Sequence, residues 1–225
     1  MERLTINDVN YTYKTKYQTV KALDGVSFTF ESGKFYAIIG RSGSGKTTLL
    51  SLMAGLDVPV DGTVMFGDKD TKEINRDNFR LEHVSVIYQG LNLFPLLTAI
   101  ENVTFPLEYR GVSKSQAKSV ASLKLESVGI DASKHNRLPA MLSGGEQQRV
   151  AIARALATNT EVILADEPTG NLDTENSMNI VTMLRNLAVS ENVCVIVVTH
   201  DTAVAECADV VIKLSDGKIE SVINN

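Results

Sequence analysis

Cysteine is nearly missing from this chain: only Cys194 and Cys207 occur in 225 residues. Cys194 sits inside an apolar run and Cys207 in a helical pattern, and they lack metal-ligand spacing. That excludes a disulfide framework and a cysteine-based metal site, and it suits a reducing compartment. Long hydrophobic runs are lacking too. The longest, Val193 to Val198, falls far short of the roughly 18 residues of a membrane span. No basic segment followed by an apolar stretch opens the chain, so secretion is not expected and a cytoplasmic protein without direct membrane insertion is. Positive charge is not in excess. The formal net charge of −5 argues against a nucleic-acid partner, which requires a basic surface. Repeats, low-complexity tracts, flexible linkers and a long coiled coil are also absent, as is the Asn-Lys-x-Asp motif that reads a nucleotide base. What is present is ordinary for a globular protein: 44% hydrophobic and 22% charged residues, in a length sufficient for one large α/β domain or two small ones.

The N-terminal part reads as β structure. Leu4, Ile6 and Val9 alternate with polar residues, and Val26, Phe28 and Phe30 share one face of a second strand. Phe35 to Ile39 is a short apolar run ending at Gly40, as for a buried strand, and a helix from Lys46 to Ala54 is stopped by Gly55. Asp61-Gly62 and Gly67-Asp68 bracket a short strand, Thr63 to Phe66. Helical patterns dominate between Gln89 and Ala157. There Ser113 with Gln116 makes a capping box ahead of Ala117, Val120, Ala121, Leu125 and Val128, and Gly129 is the stop. Val162 to Ala165 and Val193 to Val198 read as further buried strands, and strands alternating with helices imply a parallel sheet. Val210 to Leu214 and Lys218 to Ile223 flank Asp216-Gly217, a hairpin signal. The helical middle reads as an insertion within one domain.

Three stretches carry chemistry. Gly40-Arg41-Ser42-Gly43-Ser44-Gly45-Lys46-Thr47 matches G-x-x-x-x-G-K-[ST] between a strand and a helix, where that pattern cradles phosphates. Lys46 brings positive charge to the terminal phosphates, and the Thr47 hydroxyl suits Mg²⁺. Val162 to Glu167 ends a strand in two carboxylates, at the sheet edge where ligands gather. Asp166 suits Mg²⁺, and Glu167 suits taking a proton from an attacking water. His200 also ends a strand, where it can contact a γ-phosphate and position that water, whereas His83 and His135 read as surface residues. Gln89 follows the apolar segment Val84 to Tyr88 and offers a neutral amide to both metal and water.

Leu142-Ser143-Gly144-Gly145-Glu146-Gln147-Gln148-Arg149 has the makings of a second anion site. Ser143 and Glu146 fit a capping box, so a helix should run from near Gly144 through Ala157 with its positive end outward. One nucleotide does not need two phosphate cradles, whereas two half-sites meeting across a dimer do.

In this order the elements resemble the nucleotide-binding subunits of ATP-binding cassette transporters, over essentially the whole chain from Leu4 to Ile223. Gly40 to Thr47 resembles Walker A, Gln89 the Q-loop, Leu142 to Glu146 the signature and Val162 to Glu167 Walker B. Asn171-Leu172-Asp173 resembles the D-loop, and His200 the switch histidine. The resemblance implies a P-loop NTPase core with a mainly parallel sheet, an N-terminal antiparallel β subdomain and a helical subdomain inserted at about residues 90–157. It extends the ATP contacts over Gly40, Arg41, Ser42, Gly43, Ser44, Gly45, Lys46, Thr47 and Thr48. The same set includes Gln89, Ser143, Gly144, Gly145, Asp173 and His200. Mg²⁺ falls to Thr47, Gln89 and Asp166, and catalysis to Glu167, His200, Gln89 and Lys46. Tyr13 matches the aromatic residue that stacks on adenine, with Tyr11 and Tyr17 as rivals.

Ala165 to Asp173, with Gly55-Leu56-Asp57 and Leu97 to Val103, resembles the macrolide-exporter, lipoprotein-release and cell-division branch, a pattern shared with peptide-resistance exporters. Glu146 stands where relatives commonly have glutamine, and it should cap the helix and point away from ATP. The resemblance further implies a homodimer that closes on ATP and a membrane permease subunit docking near Gln89 and the helical subdomain. The protein would thus lie on the inner face of the cell membrane. Leu91, Leu93, Phe94, Leu96 and Leu97 crowd the stretch after Gln89; most are expected to fill the core of the insertion. The functional alternative for them is a groove for an amphipathic helix of the partner. The rival function is a non-transport ATPase of the same type or an ATP-dependent regulatory module.

Overall fold

A computed structural model describes residues 3–225 apart from 171 and 173, so the expectations for Asn171 and Asp173 lie outside the described residues. In chain order the strands are β1 (Leu4–Lys14), β2 (Thr19–Phe30), β3 (Phe35–Ile39), β4 (Asp61–Phe66), β5 (Lys69–Asp70) and β6 (Val84–Ile87). They continue with β7 (Val162–Asp166), β8 (Cys194–Thr199), β9 (Val210–Ser215) and β10 (Lys218–Asn224). The helices are α1 (Lys46–Met53), α2 (Arg76–Glu82), α3 (Ala99–Tyr109), α4 (Lys114–Ser127), α5 (Gly144–Ala157), α6 (Thr174–Glu191) and α7 (Thr202–Glu206).

Alternating side chains sort the larger sheet into two cores. Its order is β10-β9-β3-β8-β7-β6, with parallel pairing from β9 through β6 and antiparallel β10 at the edge. Tyr36, Ile38, Leu164, Ile196 and Val198 face one way, onto α1 and the smaller sheet β2-β1-β4-β5. Phe35, Ala37, Ile163, Val195 and Val197 face the other, onto α6 and the helices of the middle segment. A sheet covered on both faces needs continuous apolar strands, and all residues of β8 are buried. β6 and β7 are sheet neighbours although α3, α4 and α5 lie between them in sequence, so those helices leave and rejoin the sheet at adjacent strands.

The local signals explain most element ends. Gly55, at φ +62°, stops α1, and Gly129, at φ +77°, follows α4. Ser143 and Glu146 form both halves of their capping box, and α5 spans Gly144–Ala157. At α4 only half of the expected box forms. Ser113 accepts from the Gln116 backbone N–H, but its hydroxyl donates to the Gln116 side chain instead of that side chain reaching back to the cap N–H. The Asp216-Gly217 turn has positive φ at both residues and joins β9 to β10 as expected.

Two expectations need correction. His135 is buried, not on the surface: its Nε2 pairs with the Ile130 carbonyl at 3.0 Å, and its own carbonyl accepts from Ile100 N–H. Most of the apolar stretch after Gln89 does not fill the core of the helical segment, and of its five residues Leu93 alone packs against that core. Leu91, Leu93 and Leu97 are half-buried, while Phe94 and Leu96 are 42% and 86% exposed. The reason lies in the backbone, which turns through left-handed Leu91 and Asn92 and runs as a loop to the cap of α3 at Thr98. Smaller differences concern bounds, since Val193 precedes β8 and β4 begins at Asp61.

Candidate nucleotide site

β3 delivers the chain to a loop that only glycine permits at its two ends. A Cβ on Gly40 would lie 2.2 Å from the Leu214 carbonyl oxygen, and one on Gly45, at φ +102°, 2.4 Å from that of Ala22. The loop opens into α1, which has no side-chain cap and no acid in its first turn, so its backbone N–H groups keep their positive end for an anion. Lys46 lies along the same loop, donating from Nζ to the carbonyls of Gly40 at 2.9 Å and Arg41 at 3.0 Å.

A cavity of about 740 Å³ opens over this loop. Its lining joins Gly40, Arg41, Ser42, Gly43, Gly45, Lys46, Thr47 and Thr48 to Gln89, Asp166, Glu167 and His200, and to Tyr13, Val20 and Ala22 of β1 and β2. Residues from five separate parts of the chain therefore converge as the motifs suggest. Ser44 is the exception within the loop. Its hydroxyl is buried without a hydrogen-bond partner, against Gly40, and it does not line the cavity.

The strand ends supply the acids. Asp166 closes β7 and is hydrogen-bonded by Thr47; burial pushes its carboxyl above the usual range, opposed by that hydrogen bond. Glu167 turns the chain with φ +46°, and its N–H is held by the Val198 carbonyl at 2.9 Å. Its two carboxylate oxygens are separately occupied. Oε1 lies 2.7 Å from His200 Nδ1, and Oε2 accepts from the Thr199 hydroxyl at 3.1 Å. The Glu167 side chain is 13% exposed and that of His200 76%, so the carboxylate is sheltered while the imidazole is presented. A Cβ placed on Gly170 would lie 3.8 Å from the Glu167 Cβ and 3.9 Å from Gln89 Nε2, which puts that amide beside the same loop.

Among the three tyrosines, Tyr13 is the one that lines the cavity. It is half exposed, its hydroxyl lies 3.2 Å from the Thr48 hydroxyl, and Tyr11 packs edge-on against it with ring centroids 5.0 Å apart. Tyr11 is committed elsewhere, donating its hydroxyl to the Asp57 carboxylate, which raises its pKa to about 12. Tyr17 is 91% exposed and outside the cavity. Val20 joins the lining without any motif to announce it. It pairs across the β1–β2 ladder with Tyr13, and that register is the only signal that could have found it.

The signature stretch lies apart from this cavity. Glu146 caps its own helix, accepting from Ser143 N–H at 2.8 Å, while Ser143 Oγ accepts from Glu146 N–H at 3.3 Å. The other Glu146 oxygen meets Lys134 Nζ at 2.9 Å, and the carboxyl is held down at about 2 by Lys134 first and the Ser143 N–H second. As expected, then, Glu146 is turned back onto its own helix. A Cβ on Gly144 would meet nothing within 4 Å, whereas one on Gly145 would lie 3.1 Å from Leu172.

A parallel sheet, a glycine-cradled loop at a helix N-terminus and a pair of carboxylates at a strand end define the P-loop nucleotide-binding class. Within it the chain belongs to the ABC transporter family, whose model matches residues 23–170, as one of its ATP-binding proteins. It is 43% identical to the ABC transporter ATP-binding protein YclH of Bacillus subtilis, over 96% of this chain and 95% of that one. It is 42% identical to the macrolide export ATP-binding/permease protein MacB of Hyphomonas neptunium, covering 99% of this chain but 35% of that longer protein. Two solved structures superpose with a TM-score of 0.92 at 37% identity, covering 98% of each chain. Both are the cassette MJ0796 of Methanocaldococcus jannaschii, one as a dimer and one as a dimeric post-hydrolysis state bound to ADP and Pi.

Proposed function

We propose that this protein is the ATP-hydrolysing motor subunit of a membrane ABC transporter, working as a pair of copies that close around ATP. Residues 1–225 would then be one cassette with a helical subdomain inserted at about 90–157. The Walker A cavity of one copy and the Ser143 helix end of the other would enclose each γ-phosphate. The observation that carries this is the open space around Gly144. Glycine at the start of a helix costs stability relative to alanine, yet nothing within the protein crowds that position. A requirement for bare backbone there fits close approach of a ligand held by a second copy. The dimeric form of MJ0796, at TM-score 0.92, supports the pairing of two copies.

Each cavity residue has a role that follows from its placement. Tyr13, with Val20 beside it, offers a face for the adenine ring. The loop N–H groups from Gly40 to Thr48 and the Lys46 ammonium hold the phosphates, with Arg41 and Ser42 contributing through the backbone. The Thr47 hydroxyl, the Asp166 carboxylate and the Gln89 amide oxygen are hard donors of the kind Mg²⁺ takes, and Thr47 and Asp166 already touch. Bound there, Mg²⁺ would offset the charge of the β- and γ-phosphates. Glu167 accepts the proton of a water whose oxygen bonds to the γ-phosphorus as the bond to ADP breaks, while His200 and Gln89 orient that water. Closure depends on both half-sites gripping one phosphate, so cleavage removes the bridge and the copies part. That is a population shift set by unequal affinity of two states for the ligand.

No helix of the described residues is long and apolar enough to cross a membrane. The permease function named for MacB is therefore proposed to lie outside these 225 residues, with this protein held at the inner face of the membrane through it. The docking region is the loop after Gln89, where Phe94 and Phe105 pack with centroids 4.8 Å apart beside exposed Leu96. Export, lipoprotein release and peptide resistance are the processes proposed for the complex. Replacing Glu167 by Gln tests the motor directly: ATP binding should persist while turnover falls about 10²–10⁴-fold. Unchanged turnover would remove Glu167 as the base.

A further inference from the structure

A helix N-terminus that grips phosphate should not carry a bare carboxylate in its first turn, and α5 does carry one, Glu146. Its cost at an anion site depends on what neutralises it. One oxygen is spent on Ser143 N–H, and the other is 2.9 Å from Lys134 Nζ. The Glu146 side chain is 15% exposed and that of Lys134 28%, so the pair is partly withdrawn from water and less screened than a surface pair. Lys134 is itself built into place. It ends a short 3-10 turn (132–134) whose cap, Asp131, accepts from Ser133 N–H at 2.9 Å and also faces the lysine at 3.6 Å. The residues that follow are tied to the start of α3, with the His135 carbonyl accepting from Ile100 N–H and the Arg137 carbonyl from Ala99 N–H. His135 is locked in turn to Ile130.

We propose that Lys134 is a positioning residue of the signature half-site: it cancels the charge of Glu146 and holds that carboxylate in the cap, so that Ser143 and Gly144 face the partner copy's γ-phosphate. The inference rests on the head-to-tail reading above and adds to it a residue outside every motif. Without Lys134, Glu146 retains its charge and one anchor, and the positive end of α5 is opposed where it must meet a dianionic γ-phosphate group. Each closed dimer contains the arrangement twice.

The test uses the full chain in the Glu167→Gln background, with ATP-dependent dimerisation followed by analytical ultracentrifugation. Adding Lys134→Met should raise the ATP concentration for half-dimerisation on the order of tenfold, the scale of a charge at a helix terminus counted at two symmetric sites. ATP affinity of the separated copies should not change. Adding Glu146→Gln to Lys134→Met should restore dimerisation, because a neutral cap needs no counter-charge, whereas a merely structural lysine would not be rescued this way. Lys134→Arg should behave as the parent. Dimerisation unaffected by Lys134→Met, or a defect that Glu146→Gln does not relieve, would overturn the assignment. Should Lys134→Met fail to fold, Glu146→Gln alone decides: dimerisation at least as strong as the parent supports the assignment and a loss overturns it. A parent that stays monomeric with ATP would instead bring down the head-to-tail reading, and Lys134 with it.

Discussion

Glu167 meets His200 because two neighbouring strands end at the same level. Asp166 is paired in register with Val198, Glu167 takes a left-handed turn, and the next strand delivers Thr199 and His200 to its two oxygens. Such a turn is costly for a non-glycine residue and persists when its surroundings hold it, as the Val198 carbonyl does here. At the other half-site the relevant residue is Glu146, whose carboxyl is held at about 2 against an ordinary value of 4.5. A depressed carboxyl adds stability above its unfolded value and loses it as pH falls towards the folded one. The contribution of Glu146 is therefore complete above about pH 4.5 and fades towards pH 2. Urea unfolding of the protein and of Glu146→Gln should show the gap between them closing over that window on acidification; a gap independent of pH would contradict the ion pair.

At the scale of elements, α5 and α3 carry the two surfaces assigned by the proposed function. α5 is stabilised at its start by a complete capping box, so Gly144 is not needed for folding. Gly144→Ala should leave the urea midpoint unchanged or raise stability by about 0.4–1 kcal/mol, while weakening ATP-dependent dimerisation. A loss of stability with dimerisation intact would reverse that reading. The loop after Gln89 depends on one side chain of α3. Asn102 is fully buried, accepts from Phe94 N–H at 2.8 Å and donates to the carbonyls of Phe94, Leu97 and Thr98. Asn102→Ala leaves those groups short of partners and should cost about 2–4 kcal/mol in chemical unfolding; a cost under half of that would mean the loop is held by its other contacts. Arg154 of α5 adds to the same loop, donating to the carbonyls of Leu91 and Asn92 at 3.2 and 2.7 Å.

Legibility divides along the same lines. The Ser143–Glu146 box, the Gly55 and Gly129 stops and the phosphate loop are local, written in residues a few positions apart, and they form where the spacing puts them. His135 escapes such local reading because the backbone bond that ties it to Ile100, at the start of α3, joins residues far apart in the chain. The apolar run after Gln89 escapes it too, because two left-handed residues and a buried asparagine hold it in a loop, and neither leaves a periodic trace. Val20 and Lys134 are likewise products of pairing and packing. The convergence of Tyr13, Gln89, Glu167 and His200 on one cavity was legible only through the order of motifs, since no local pattern says which strands become neighbours.

For the whole molecule, the proposed function gives each copy two half-sites on different parts of its surface: the cavity that holds Glu167 and the phosphate loop, and the α5 end with exposed Ser143 and Gly144. Two such surfaces that are complementary to each other close by two-fold symmetry into a dimer, using each site once per copy. The loop after Gln89 is the place where the proposed permease would sense that closure. If the two half-sites share one phosphate as proposed, association should follow the nucleotide and not the protein concentration alone. Light scattering of Glu167→Gln, with and without ATP and Mg²⁺, and of the same protein carrying Ser143→Arg, tests this most directly. ATP should shift the first to twice the mass of a single chain, and the Ser143→Arg protein should bind ATP yet stay at the mass of one. A Ser143→Arg chain that still pairs on ATP, or a Glu167→Gln protein whose mass ignores ATP, would contradict head-to-tail closure.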